Sequence, residues 1–220
     1  MPPPLDLLPD LLGGLIVTLQ VTAGAAVLAL VMSFLGGLGR LSRTRPVRWV
    51  ATAYVEVFRG TSALVQLFWV FFVLPFAGLD LDALTAGIVV LGLNIGAYGS
   101  EVVRGALQAV PDGQREAAVA LNLSPARTRW RVLIPQALPV MLPPAANLLV
   151  ELLKGTALVS LITLSELTFV AQTLRADTLR TAEVFGLVLV LYFGVAMALT
   201  AGMRRLERRL SFWRTPGARA

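Results

Sequence analysis

The chain has 220 residues, of which 56% are hydrophobic and only 15% are charged, and its net charge at pH 7 is +6. Soluble domains average about 45–50% apolar and about 25% charged residues, so this composition predicts a membrane protein with several spans. The chain contains neither cysteine nor histidine, which excludes disulfides and removes both the usual ligands of zinc, haem and iron–sulfur clusters and the commonest general base of enzymes.

Five apolar stretches predict five membrane-spanning helices. They lie at about residues 11–39, 60–79, 83–103, 144–166 and 184–203. Each is long enough to cross a bilayer, which takes roughly 17–25 predominantly apolar residues. The fourth stretch is interrupted by Glu151 and Lys154, and the piece after Lys154 is too short to cross alone. We therefore expect one span containing both charges, preceded by an irregular segment at Pro135, Pro139, Pro143 and Pro144.

Arginine is distributed unevenly between the two sides of this predicted topology. Most arginines lie in the 40–59 loop, in the 104–131 loop and after residue 203, where Arg214 and Arg219 are found, whereas only Arg175 and Arg180 lie on the opposite side. Positive residues favour the cytoplasmic side, so we predict an N-terminus outside and a cytoplasmic C-terminus. The aromatic residues expected near the cytoplasmic interface are Trp49, Tyr54, Trp130 and Trp213. Basic loops of this kind report topology, and we expect no nucleic-acid partner.

A polar, basic segment, REAAVALNLSPARTRWRVLIPQA at residues 115–137, separates the third span from the fourth. Its first part, EAAVAL, favours a helix, for which Asp112 is a candidate N-cap. Asn122 tolerates the left-handed conformation that ends many helices. Ser124 and Pro125 are residue types preferred at the start of a new helix. The pattern predicts a helix–turn–helix at the cytoplasmic surface, and a basic loop held at anionic lipid headgroups is the alternative.

Polar residues inside the spans are candidates for lining a solute path. Glu151 and Lys154 are three residues apart and share a helix face, and ionisable residues within a span usually face a cavity or a partner. A mutual ion pair, or a shifted span that leaves Glu151 near the interface, is the alternative. The residues we expect along the path are Gln66, Asn94, Tyr98, Asn147, Glu151, Lys154, Thr156 and Ser160. Hydrogen bonding between helices is the alternative for Gln66, Asn94 and Tyr98.

Two further patterns concern the third span. Gly92, Gly96 and Ser100 are spaced by four residues and predict a close contact with another helix; the general abundance of glycine in spans is the alternative. Glu101 and Arg104 are three residues apart at the end of the span and predict an ion pair near the interface.

The basic segment resembles the EAA loop of ABC-importer permeases, in which Glu-Ala-Ala is followed by a turn and an Ile-x-x-Pro-type end, here VLIPQA. The resemblance to polar amino-acid permeases runs from about residue 40 to residue 168. It includes RLSRTRPVRWVATAYVEVFRGTSALVQLFWVFFVLP, GAYGSEVVRGALQAVPDGQREAA and NLLVELLKGTALVSLITLSELT. The chain departs from the family pattern at Asn122, where glycine is usual, at Ser62, where proline is usual, and at Gly155 and Ala157, where polar residues are usual.

This resemblance implies an all-α membrane protein with one transmembrane domain, residues 1–220, and five spans. It implies that the loop at about residues 111–133, between spans three and four, is a coupling helix that docks on a cytoplasmic ATPase. The implied docking residues are Glu116, Ala117, Ala118, Leu121, Asn122, Ser124, Pro125 and Arg127. The chain has no Walker A pattern, so we expect it to bind no cofactor, with ATP and magnesium held by the partner ATPase.

The implied partners are a second permease subunit, either identical or a sister chain, ABC ATPase subunits, an extracytoplasmic solute-binding protein and the lipid of a bacterial cytoplasmic membrane. The implied function is ATP-driven import of polar amino acids, with another small solute as the alternative. A secondary transporter or channel would not need the helix–turn–helix, and no matching halves of an inverted repeat are visible in the sequence. A membrane enzyme would need a catalytic constellation, and the sequence contains no recognisable one.

Overall fold

The computed structural model describes residues 4–210, so the predictions for Trp213, Arg214 and Arg219 lie outside the described residues. Within that range all regular structure is helical. The α-helices are α1 Leu8–Arg40, α2 Arg45–Gly60, α3 Ala63–Phe68, α4 Ala83–Gln108, α5 Asp112–Ala120, α6 Pro125–Arg127, α7 Ile134–Gly155, α8 Leu167–Thr178 and α9 Thr181–Leu210. Tighter or wider helical turns extend some of them: Leu5–Leu7 before α1, Trp69–Val73 and Leu74–Ala77 after α3, Thr128–Leu133 between α6 and α7, and Thr156–Ile162 after α7.

Four helical segments of the described chain are long and apolar enough to cross a membrane. They are Leu5–Arg40, Ala83–Gln108, Pro125–Ile162 and Thr181–Leu210. A fifth candidate is a broken one, in which Arg45–Gly60 and Ala63–Ala77 meet at a bend of 105°. The sequence predicts a continuous second span at 60–79 and a loop before it, because the arginines end the apolar stretch. In the structure the predicted loop is helix α2. The bend between Gly60 and Ala63 lies where the predicted span was expected to begin.

The proline-rich segment before Asn147 is helical, so the predicted irregular segment is wrong. Helix α7 continues through Pro139, Pro143 and Pro144. Pro135, Pro139 and Pro143 are four residues apart, so their missing N–H donors fall along one face of the helix and leave the other faces hydrogen-bonded. Spanning helices tolerate proline where neighbouring groups satisfy the freed carbonyls.

Helices α1 and α4 pack closely and run in the same direction, because small residues let their backbones approach. A Cβ added at Gly92 would lie 2.8 Å from Leu28, and one at Gly96 would lie 2.7 Å from Met32. Ser100 faces Gly36 and donates its hydroxyl hydrogen to the Gly96 carbonyl at 2.8 Å. The close helix contact predicted from Gly92, Gly96 and Ser100 is confirmed.

Three buried apolar clusters join the helices. The central one contains Val21, Ala29, Leu67, Val90, Leu152 and Ile162. A second, at the end of α4, contains Val103, Leu107, Val110, Leu133, Ala137 and Met141 and supports the segment that follows α4. A third joins α1, α8 and α9 through Leu11, Leu167, Ala171 and Val184. Many large apolar side chains stay exposed, among them Val27, Phe76, Leu189 and Phe193, as expected for helices that contact lipid or another membrane subunit.

Candidate coupling loop and solute path

The segment between α4 and α7 is a helix–turn–helix, as the sequence predicts. Helix α5 ends at Ala120, and Asn122, two residues later, has a left-handed φ of 54°. The Asn122 N–H donates to the Val119 carbonyl at 2.8 Å, and the Leu123 N–H donates to the Ala118 carbonyl at 3.0 Å. These bonds satisfy carbonyls that the helix end would otherwise leave free. The interpretation of Asn122 as the helix-ending residue is confirmed.

The helix starts in this segment are partly as predicted. Ser124 Oγ accepts a hydrogen bond from the Arg127 N–H at 3.4 Å, and Pro125 is the first residue of α6. Asp112 is not an N-cap, because α5 already includes it and the preceding Pro111 occupies the cap position. Its carboxylate lies in the first turn, where the helix dipole favours negative charge.

The predicted docking residues lie together on this segment, but not all of them face solvent. Glu116, Ala117, Asn122, Ser124, Pro125 and Arg127 are exposed. Leu121 is 74% exposed, and its neighbour Val119 is 73% exposed. Ala118 is only 2% exposed and faces the inside of the chain. The outer surface therefore combines a small apolar patch, formed by Val119 and Leu121, with the acidic Glu116 on α5 and the basic Arg127 on α6.

Hydrogen bonds and apolar contacts attach this segment to both neighbouring spans. Arg115 Nη2 donates to the Leu107 carbonyl at 3.3 Å, and Gln136 Nε2 donates to Gln114 Oε1 at 3.0 Å. Leu133 and the end of α4 belong to the same buried cluster. A force applied to α5 would therefore reach α4 and α7 together.

One face of α7 carries the predicted charged pair. Asn147, Glu151 and Lys154 are all exposed along it, while Leu152 and Leu153 point into the chain. In the described part of the chain, no ion pair within 4.0 Å joins Glu151 to Lys154 or to another residue. The two charges share a face as predicted, but they do not satisfy each other.

The two hydroxyl residues predicted beyond this pair lie in the helical turn after α7. Thr156 is fully buried and donates to the Leu153 carbonyl at 2.7 Å. Ser160 is half-buried and donates to the Ala157 carbonyl at 2.7 Å. Ser160 is therefore the one of the two that remains partly accessible.

Gln66 and Asn94 lie at the bend between α2 and α3. The Phe58 carbonyl accepts hydrogen bonds from Asn94 Nδ2 and from Gln66 Nε2, each at 2.9 Å. Gln66 Nε2 also donates to Thr61 Oγ1 at 2.7 Å, and Asn94 Nδ2 to Gln66 Oε1 at 3.2 Å. A helix that stops inside a membrane leaves free carbonyls, which are unfavourable unless they find donors. The hydrogen bonding between helices considered for Gln66 and Asn94 is therefore present, and their contact with solute stays a prediction.

Glu101 is the centre of a charged cluster near the end of α4. Its carboxylate pairs with Arg104 at 2.7 Å, with Arg59 at 3.3 Å and with Arg40. The Arg59 guanidinium also lies 5.3 Å from the centroid of the Tyr98 ring, which is cation–π geometry. The predicted Glu101–Arg104 pair is confirmed, and Arg40 and Arg59 extend it to α1 and α2.

Glu166, which was not among the residues predicted from the sequence, is completely buried at the start of α8. Glu166 Oε1 accepts from the Phe169 N–H at 2.9 Å, while Oε2 accepts from Thr18 Oγ1 at 3.3 Å and from the Tyr192 hydroxyl at 3.1 Å. The carboxylate thus joins α1, α8 and α9. The signal was a lone acid in LITLSELTFVA, which the prediction treated as the boundary of a span.

Polar contacts also join helices at the end of the molecule opposite the Glu101 cluster. Arg180 pairs with Asp6 at 2.7 Å and with Glu183 at 2.5 Å, which joins the start of α1 to the start of α9. Asp82 caps α4 by accepting the Thr85 N–H at 3.0 Å. Hydrogen bonds from Thr85 hold the pKa of the Asp82 carboxyl below its ordinary value.

Comparison with known proteins identifies the family. A family model described as "Binding-protein-dependent transport system inner membrane component" matches residues 26–212. The chain belongs to this family. It is therefore a membrane component of such a transport system, in the inner membrane, and not the ATPase.

The relatives cover nearly the whole chain. A probable amino-acid ABC transporter permease protein, y4tF of Sinorhizobium fredii, is 47% identical over 95% of this chain and 90% of that protein. The glutamine transport system permease protein GlnP of Escherichia coli is 37% identical over 92% of this chain and 94% of that protein. A solved amino acid ABC transporter with histidines matches with a TM-score of 0.85 and 35% identity, over 93% of this chain and 96% of that chain. The MetNI methionine ABC transporter, at 23% identity and a TM-score of 0.80, has the same fold over 96% of this chain and 99% of that chain.

Proposed function

We propose that this permease forms, with a second permease subunit, the membrane path of an ATP-driven importer of polar amino acids. The observation that carries the proposal is the exposed helix–turn–helix between α4 and α7, in a chain whose relatives are named as amino-acid permeases. An extracytoplasmic solute-binding protein delivers the amino acid. The partner ATPase binds the ATP and magnesium.

Five crossings with the N-terminus outside are the topology that we infer. Helices α1 and α4 run in the same direction, so the chain between them has to return across the membrane. The broken pair of α2 and α3 is the candidate for this return. The arginine-rich ends, including Arg40, Arg104 and Arg204, then lie in the cytoplasm with α5 and α6.

The outer surface of α5 and α6 is where we place the ATPase. Leu121 and Ala117 offer an apolar contact, and Glu116 and Arg127 offer charges of both signs. Ala118 is buried, so we assign it to packing. Movement of the ATPases would pass through α5 to α4 and α7, because Arg115 and Gln136 attach the loop to both helices.

The exposed polar face of α7 is where we place the solute path, between this subunit and a second one. Glu151 and Lys154 offer both charges that a zwitterionic amino acid needs, with Asn147 one turn earlier and Ser160 beyond them. Tyr98, half-buried beneath Arg59, lies on α4 towards the cytoplasmic end. Thr156 is left out of the path because it is fully buried.

Reversing one docking charge tests the proposal. We expect Glu116→Lys to reduce the amount of ATPase that co-purifies with the permease, because it inverts the charge at the docking face, while insertion into the membrane stays normal. Glu207→Lys reverses a charge on the same side of the membrane but on α9, and is the matched control. Unchanged ATPase recovery and unchanged transport in Glu116→Lys would refute the docking assignment.

A further inference from the structure

A groove between α1 and α2 has no part in the proposed transport. It has a volume of about 400 Å³ and is lined by Met32, Leu35 and Gly39 from α1 and by Val47, Val50 and Tyr54 from α2. Its walls are almost entirely apolar. The groove exists because the helices meet at small residues: a Cβ at Gly39 would lie 2.8 Å from the Ala51 Cβ. Beyond that contact the larger side chains diverge and leave a slot open to the surroundings.

The end of the groove next to the α1–α2 turn is strongly basic. Arg43, Arg45 and Arg48 are exposed, and their side chains make no hydrogen bond or ion pair with any residue in the described range 4–210. Arg40 differs, because it is paired with Glu56 and Glu101. Three positive charges are thus left without a partner where the groove reaches the turn.

The start of α2 adds to this positive potential. Thr44 occupies the N-cap position but its side chain caps no backbone N–H. The first turn therefore keeps free donors and the positive end of the helix dipole on the side of the three arginines. Trp49, which is 74% exposed, lies on the same turn of helix, as interfacial aromatic residues do.

We propose that this groove binds one anionic phospholipid. Its phosphate contacts Arg43, Arg45 and Arg48, and one acyl chain lies in the groove against Val47 and Val50. A zwitterionic lipid would fill the groove but leave the net charge of the arginines unbalanced, and a free phosphate would leave the apolar walls exposed. Basic pockets between helices at the membrane surface bind anionic headgroups for this reason.

Trp49 gives a direct readout of this site. The full-length chain carrying Trp69→Phe, Trp130→Phe and Trp213→Phe keeps Trp49 as its single tryptophan. In phosphatidylcholine vesicles, we expect a small fraction of dibrominated phosphatidylglycerol to quench Trp49 much more strongly than the same fraction of dibrominated phosphatidylcholine. Equal quenching by the two lipids, or no quenching by either, would overturn the proposal.

Two variants separate the site from general surface charge. Replacing Arg43, Arg45 and Arg48 with Gln should lower the preference for the anionic lipid on the order of tenfold or more, since each arginine near the surface adds to the attraction of an anionic headgroup. The control replaces Arg204, Arg205 and Arg209 with Gln, which removes the same charge from α9 and should leave the preference intact. An equal loss in both variants would show general attraction and refute the site.

The acyl chain is tested separately from the headgroup. Val47→Phe fills the groove while keeping the three arginines, and should weaken quenching by the anionic lipid. Soluble glycerophosphoglycerol, which has the headgroup but no acyl chains, should not compete. Full quenching in Val47→Phe, or effective competition by the soluble headgroup, would mean that the basic turn binds phosphate alone and would refute the lipid.

Discussion

Among single residues, the two charges on α7 bear most directly on the proposed solute path. An isolated charge near the centre of a bilayer costs about 2.5–3.5 kcal/mol on insertion scales, so such residues normally face a polar partner or water. Glu151 and Lys154 are exposed and lack an ion pair within the described chain. We propose that these two side chains meet water and solute in the path between two subunits, where a polar environment satisfies both charges.

Lys154→Met is the substitution that separates a path role from a structural one. It keeps the bulk and removes the charge, and no ion pair with Glu151 is lost. We expect uptake to fall roughly tenfold or more, the worth of a hydrogen bond to a charged group, while membrane insertion and ATPase binding persist. If the double variant Glu151→Gln, Lys154→Met restores full uptake, the two residues serve only each other and the path role is wrong.

Replacing Glu166 tests whether its hydrogen bonds stabilise the fold. Glu166→Ala would leave the Phe169 N–H without its acceptor. Thr18 and Tyr192 would each lose one partner but keep Gly14 and Thr168, respectively. A stranded buried group costs about 1–3 kcal/mol. We expect a clear drop in the thermal midpoint of the purified protein in detergent. Glu207→Ala, at the partly exposed end of α9, should leave the midpoint unchanged. A Glu166→Ala midpoint equal to that of the unmodified chain would refute this role.

At the scale of elements, local signals explain what the sequence predicts correctly. Asn122, Ser124 and Pro125 fix the turn between α5 and α6 through their own backbone preferences and caps, so no distant contact is needed. The bend between α2 and α3 is different, because it depends on donors from Gln66 and from Asn94 on another helix. Glu166 likewise acquires its role only when α1 and α9 enclose it. Such features depend on tertiary packing and cannot be predicted from spacing.

Substitutions at Asn122 test whether the left-handed turn after α5 matters for ATPase binding. A left-handed residue other than glycine or asparagine is strained by about 1–2 kcal/mol, so Asn122→Ala should distort the end of α5 and weaken ATPase binding roughly fivefold or more. Asn122→Gly accepts the same φ without strain and should bind the ATPase as the unmodified chain does. Co-purification with the ATPase measures both. Equal losses in the two variants would show that the Asn122 side chain, and not its backbone conformation, makes the contact.

In the whole molecule, the charged clusters lie at opposite ends of the spans. The Arg180 pairs join α1 to α9 at one end, and the Glu101 cluster joins α1, α2 and α4 towards the other. The proposed coupling loop is attached to α4 and α7, and α7 also carries the charged face of the proposed path. Helix α7 therefore connects the proposed ATPase-docking surface with the proposed solute path.

Uptake into proteoliposomes measures the proposed transport itself. The permease is reconstituted with a candidate ATPase and a candidate solute-binding protein, and accumulation of radiolabelled polar amino acids is measured with and without ATP inside the vesicles. The proposed function predicts accumulation that needs ATP, the ATPase and the binding protein together, and none by the permease alone. Uptake by the permease without the ATPase, or ATP-driven accumulation only of a solute that is not an amino acid, would contradict it.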